Sequence, residues 1–164
     1  MAHTIVNGMH CAYMNVDAYN FCGIAETDID NGTILTLSDM KLKDATGGFE
    51  FAVSAAAASD SGEFIAITPE VGYDLESQIY ADPRYFTNKA GKPISVKRLV
   101  KGDSIEITVD GFTATPGASD TYATVGANGK FTSGTTTSAP FKILATHNMD
   151  VGSEIVKTWI LMKQ

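Results

Sequence analysis

The sequence predicts an all-β protein, mainly an antiparallel sandwich or barrel-like body, with at most one or two short helices and an extended N-terminal arm. Three observations carry this reading. Short apolar runs recur from residue 33 onward, several of them alternate with polar residues, and glycine- or aspartate-rich turns separate them. Such spacing belongs to strands that follow one another directly, not to βαβ units with long helical crossovers. At 164 residues the chain makes one domain of ordinary size. A domain of that length buries about 70% of its unfolded surface without needing metals or disulfides.

Residues 1–24 are read as the arm. Met9, Tyr13, Met14, Val16, Tyr19 and Phe21 are mixed with His and Asn and keep no period. The segment is therefore expected to run extended, bent at Asn7-Gly8, with its side chains in pockets on this subunit or on a partner. Residues 25–164 are the single β domain. Asn31-Gly32 launches a β-branched run over 33–37. Phe49, Phe51 and Val53 alternate with Glu50 and Ala52, which sets them on one strand face. Residues 64–67 follow, ended by Pro69, and then Ile94 and Val96 alternate with Ser95 and Lys97. Ile105, Ile107 and Val109 against Glu106, Thr108 and Asp110 give the cleanest period of two. Runs over 122–125, 141–144 and 155–162 complete about eight strands. Gly102-Asp103, Asp110-Gly111 and Asn128-Gly129 supply tight turns, and 132–138 reads as a polar loop. One short helix is expected over 75–81, capped by Asp74 and closed by Pro83. The four alanines within 54–59 suit either a helical turn or a loop of small residues.

Charge is unevenly distributed. The formal net charge is −7, but residues 1–83 hold thirteen acids and two bases, whereas 84–164 hold six acids and ten bases. An acidic surface repels phosphate backbones, so direct nucleic-acid binding is not expected. Arg84, Lys89, Lys92, Lys97, Arg98 and Lys101 fall within eighteen residues. They form either a solvated loop and strand face or a basic patch that docks on an acidic partner or a sister copy. No apolar stretch approaches the roughly 18 residues of a membrane span, and Met1-Ala2-His3-Thr4 lacks the features of a secretory leader.

Signatures of catalysis and of cofactor binding are missing. Gly117-Ala118-Ser119-Asp120 lacks the closing glycine of a nucleophile elbow, and Gly126-Ala127-Asn128-Gly129 is a hairpin, not a phosphate cradle. Asp28-Ile29-Asp30-Asn31-Gly32 fails the calcium-loop pattern, because Thr27, Ile29 and Ser38 fall where carboxylates are required. His3, His10, Cys11 and Cys22 show no zinc-ligand spacing, so buried thiols and surface histidines are expected. No cofactor, metal or catalytic residue is assigned. The tyrosines at 13, 19, 73, 80, 85 and 122 are the raw material of a carbohydrate-binding module, the alternative function.

Residues 69–110 carry a resemblance. Pro69-Glu70-Val71-Gly72-Tyr73-Asp74, Asn88-Lys89-Ala90-Gly91-Lys92-Pro93 and Arg98-Leu99-Val100-Lys101-Gly102-Asp103, then the alternating strand over 104–110, follow in that order. This order resembles the small head decoration proteins of tailed bacteriophages. The resemblance implies a non-enzymatic protein made in the host cytoplasm and bound to the outer capsid surface of the virion. It implies two partners, the major capsid protein and further copies of the chain in a homotrimer. The expected contact residues are Met9, Tyr13, Met14 and Tyr19 of the arm with the six bases from Arg84 to Lys101.

Overall fold

The architecture is that of a computed structural model that describes residues 3–42, 49–71 and 81–164. Eleven strands occur among the described residues: β1 (Val6–His10), β2 (Asn20–Ile24), β3 (Ile34–Leu42), β4 (Phe49–Ala55), β5 (Phe64–Ala66), β6 (Pro93–Arg98), β7 (Ser104–Thr108), β8 (Tyr122–Val125), β9 (Phe131–Gly134), β10 (Phe141–Val151) and β11 (Glu154–Lys163). The helical turns among them are three-residue 3-10 turns. The all-β prediction holds. The helix expected over 75–81 lies almost wholly outside the described residues.

The strands form two units. β2, β4, β3, β5 and β6 close into a five-stranded barrel, antiparallel except for the β2–β4 pair. The order β1-β7-β11-β10-β8-β9 makes a six-stranded antiparallel sheet. β2 to β6 all belong to the barrel and β7 to β11 all belong to the sheet, so β1 alone returns to the far unit.

Alternation along β3 and β5 explains how the units join. Ile34 and Ile65 face outward from the barrel into a core shared with Ile105, Ile107, Phe131, Phe141, Trp159 and Leu161 of the sheet. Leu35 and Ala66, one residue on, fill the barrel interior with Val53, Ile94 and Val96. The shared core is aromatic: Phe131 meets Phe141 edge-on at 5.0 Å, and Phe112 meets Trp159 at 5.6 Å. Full burial of each such side chain contributes about 1.5–3 kcal/mol. Phe21 bridges Phe51 and Phe64 in T-shaped contacts at 5.6 and 5.7 Å against the barrel cluster.

Two expectations need correction. The segment 1–24 is not set apart from the β domain as an arm: from residue 3 it is built into both units, with β1 paired to β7 and β2 set between β4 and β6. Its apolar residues find their pockets on this subunit, for Val6, Cys11 and Tyr13 belong to the shared core. Its lack of a sequence period follows from two short strands separated by 3-10 turns. Second, the polar loop at 132–138 begins as a strand, because β9 pairs with β8 across the turn at Asn128-Gly129. The polar side of β7 is covered as well: Glu106 is only 6% exposed and Thr108 is fully buried.

Candidate interaction surface

β10 and β11 run far beyond the rest of their sheet. β8 covers β10 only at Phe141 and Lys142, and β7 covers β11 only from Thr158 to Met162. Between them the hairpin continues as a two-stranded ribbon over residues 144–157, in register from Ala145–Ile160 to Val151–Glu154. Alternation divides this ribbon into two faces. Met149, Val151 and Val156 lean back toward the outer face of the sheet, the side on which Thr158 is buried, and are covered in part or fully. Thr146, Asn148, Asp150, Ile155 and Lys157 face away and are exposed, Ile155 at 73%. Leu144, at the irregularity where β10 leaves β8, is exposed as well.

One polar cluster holds the ribbon to the sheet. Nδ1 of His147 donates to Oε1 of Glu106 at 2.7 Å, and the hydroxyl of the buried Thr158 donates to the same oxygen at 2.6 Å. Asn7 of β1 adds a contact from its amide to the sulfur of Met149 at 3.7 Å. Burial opposes the charged form of Glu106, yet the hydrogen bonds from Thr158 and His147 outweigh it. The carboxyl therefore sits below the usual glutamate range.

Four of the six bases from Arg84 to Lys101 are engaged within the subunit. Arg84 is clamped on Asp82 at 2.5 Å and reaches Glu154 of the ribbon at 3.6 Å. Lys89 pairs with Asp28 at 2.9 Å, and Arg98 pairs with Glu63 at 2.5 Å and stacks over the ring of Tyr19. Lys97 donates to Asn20 Oδ1 at 2.7 Å and lies over the ring of Tyr13, and its burial lowers the pKa of its ammonium group. Lys92 and Lys101 are exposed, with no partner among the described residues. Arg84, Lys89 and Arg98 are thus paired with carboxylates of the same subunit and offer little steering to an acidic partner, whereas Lys92 and Lys101 stay solvated.

The expected contact residues of the first segment divide in the same way. Met9 and Met14 are 49% and 52% exposed, whereas Tyr13 is buried and Tyr19 is half-buried under Arg98. Tyr85 is exposed beside Arg84, Tyr122 is half-buried on β8, and Tyr73 and Tyr80 lie outside the described residues. Of the placed tyrosines only Tyr85 is exposed. The ribbon is what the sequence reading missed. Its visible signal was the apolar run over 155–162; residues 145–150 carry too few apolar side chains to register as a strand.

Cys11 and Cys22 are not joined in a disulfide. The acidic turn at 28–32 is engaged locally: Asp28 accepts from the Ala90 amide and Lys89, and Asp30 meets the ring of His3 at 2.8 Å. Among the described residues no three His, Cys, Asp or Glu side chains gather to hold a metal ion, and no helix is long and apolar enough to cross a membrane. No protein-family model, curated protein or solved structure matches the chain.

Proposed function

We propose that the chain is a non-enzymatic structural protein that binds the outer surface of a bacteriophage capsid and stabilises it. The exposed face of the β10–β11 ribbon is the observation that carries this reading. A long strand pair with free outer edges is a liability for a protein that works alone, and Ile155 adds an exposed apolar contact on its face. It is a natural seat for a partner surface that covers it. The order of motifs over 69–110 supports a phage head as that partner. The partners are then the major capsid protein and sister copies of the chain, arranged as a homotrimer at local threefold positions. Stabilisation follows from mass action, since a protein that binds the assembled shell better than its free subunits shifts the equilibrium toward the shell.

The test is sedimentation of purified, expanded heads with the protein, together with the melting temperature of those heads. Retention on the heads and a raised melting temperature are expected. Ile155→Lys combined with Leu144→Lys is expected to weaken retention at least tenfold while leaving the fold intact. Heads that neither retain the native protein nor gain stability would overturn the assignment.

A further inference from the structure

Soft donors crowd the first strand and the turn after it. Met9, His10, Cys11 and Met14 fall within six residues. A regular strand would send Met9 and His10 to opposite sides. β1 is not regular there: Gly8 pairs with Ile105 and His10 with Ser104, so Met9 is the extra residue of a bulge. A bulge re-aims successive side chains, and both Met9 and His10 line one cleft of about 350 Å³. The 3-10 turn Ala12–Met14 then folds Met14 back over β1. Its terminal methyl lies 2.8 Å from where a Cβ of residue 8 would stand, with the Tyr13 hydroxyl closer still, so Gly8 leaves room for both side chains over β1. Met14 lines the same cleft.

We propose that Met9, His10 and Met14 form a binding site for a soft monovalent cation, Cu(I), at this cleft. Thioether sulfur selects Cu(I) over harder divalent ions, and imidazole accepts it readily. All three donors are exposed, and among the described residues none has a hydrogen-bond partner at its ligating atom, so no existing bond is given up. The ligands are neutral, which leaves one positive charge to offset. Asp103 lines the cleft, with its oxygens held by the amides of Ala12 at 2.8 Å and Val100 at 2.9 Å. Lys101 on the rim is solvated and opposes only weakly. Cys11 also lines the cleft, but it is buried and its thiol donates to the carbonyl of Ser104 at 3.1 Å, so it stays out of the ligand set. The site stands apart from the ribbon and does not rest on head binding.

The experiment titrates the full chain with Ag(I), a redox-inert probe of Cu(I) sites, and with Cu(I) under a reductant against a chromogenic chelator. Methyl-methionine NMR identifies the ligands. One equivalent is expected to bind and to shift the methyl signals of Met9 and Met14 selectively, with no comparable binding of Zn(II). Met9→Leu with Met14→Leu keeps the apolar bulk and is expected to weaken binding at least tenfold at an unchanged unfolding midpoint. His10→Asn is expected to weaken it severalfold, and Cys11→Ser to leave it intact. Undiminished binding by the double leucine variant, or loss of binding in Cys11→Ser or Cys22→Ser, would overturn the proposal in favour of a thiolate.

Discussion

Glu106 stands in the middle of β7 with its carboxylate under the ribbon, where burial opposes its charged form. The hydroxyl of Thr158 and the ring of His147 hold it charged. A carboxyl whose pKa is lowered by folding stabilises the fold above its unfolded pKa, and that contribution is lost as the pH falls through the folded value. Native protein should therefore lose stability relative to Glu106→Gln as the pH drops from about 5 to below the usual glutamate value of about 4.3. At neutral pH the same variant should cost about 1–2 kcal/mol, since Thr158 keeps an acceptor and only the charge-assisted bond is lost. Urea unfolding at several pH values reads both effects. Gly129 fixes another position: its φ is +68°, and a Cβ there would meet the carbonyl oxygen of Ile34 at 2.2 Å. Gly129→Ala should cost at least about 2 kcal/mol in the same assay, because strain and a backbone clash combine. The turn was legible in Asn128-Gly129, but its seat against β3 was not. Nor was the burial of Glu106, because a strict period of two says which residues share a face and not what covers that face.

The β10–β11 ribbon shows how far local pattern reaches at the scale of the element. Ile105 and Ile107 alternate against polar neighbours because one side of β7 meets the shared core, and the strand was readable for that reason. Residues 145–150 of β10 have neither face in that core, so they carry no apolar period, and only pairing to β11 makes them a strand. β1 and β2 escaped for a related reason: each is five residues long, and the 3-10 turns between them break any phase. Contacts of the His147–Glu106 kind, not a continuous core, hold the ribbon against its sheet. His147→Ala should accordingly speed amide exchange over 145–157 while leaving 104–107 protected, with a global cost within about 1 kcal/mol because the imidazole is largely exposed. Equal acceleration in both segments would mean that the ribbon and the sheet open together.

At the scale of the whole molecule, the path of the chain decides what the first twenty-four residues are for. β2 is the stave between β4 and β6, so without it the barrel has two unpaired edges and its interior residues meet water. β1 covers the edge of β7, and Val6 and Tyr13 supply part of the core that joins the two units. Burying these two side chains contributes about 1.5–3 kcal/mol each, before the strand pairing is counted, against a total margin of about 5–15 kcal/mol for a domain. A chain that lacks residues 1–24 should therefore show no cooperative thermal transition and should bind a dye for exposed apolar surface, whether or not heads are present. A segment that served only to reach a neighbour would leave the unfolding midpoint of the remaining body where it was. Scanning calorimetry of the truncated and full chains separates the two. The cooperativity expected of the full chain follows from β3 and β5, whose alternate residues belong to both cores and so tie the barrel and the sheet into one unfolding unit.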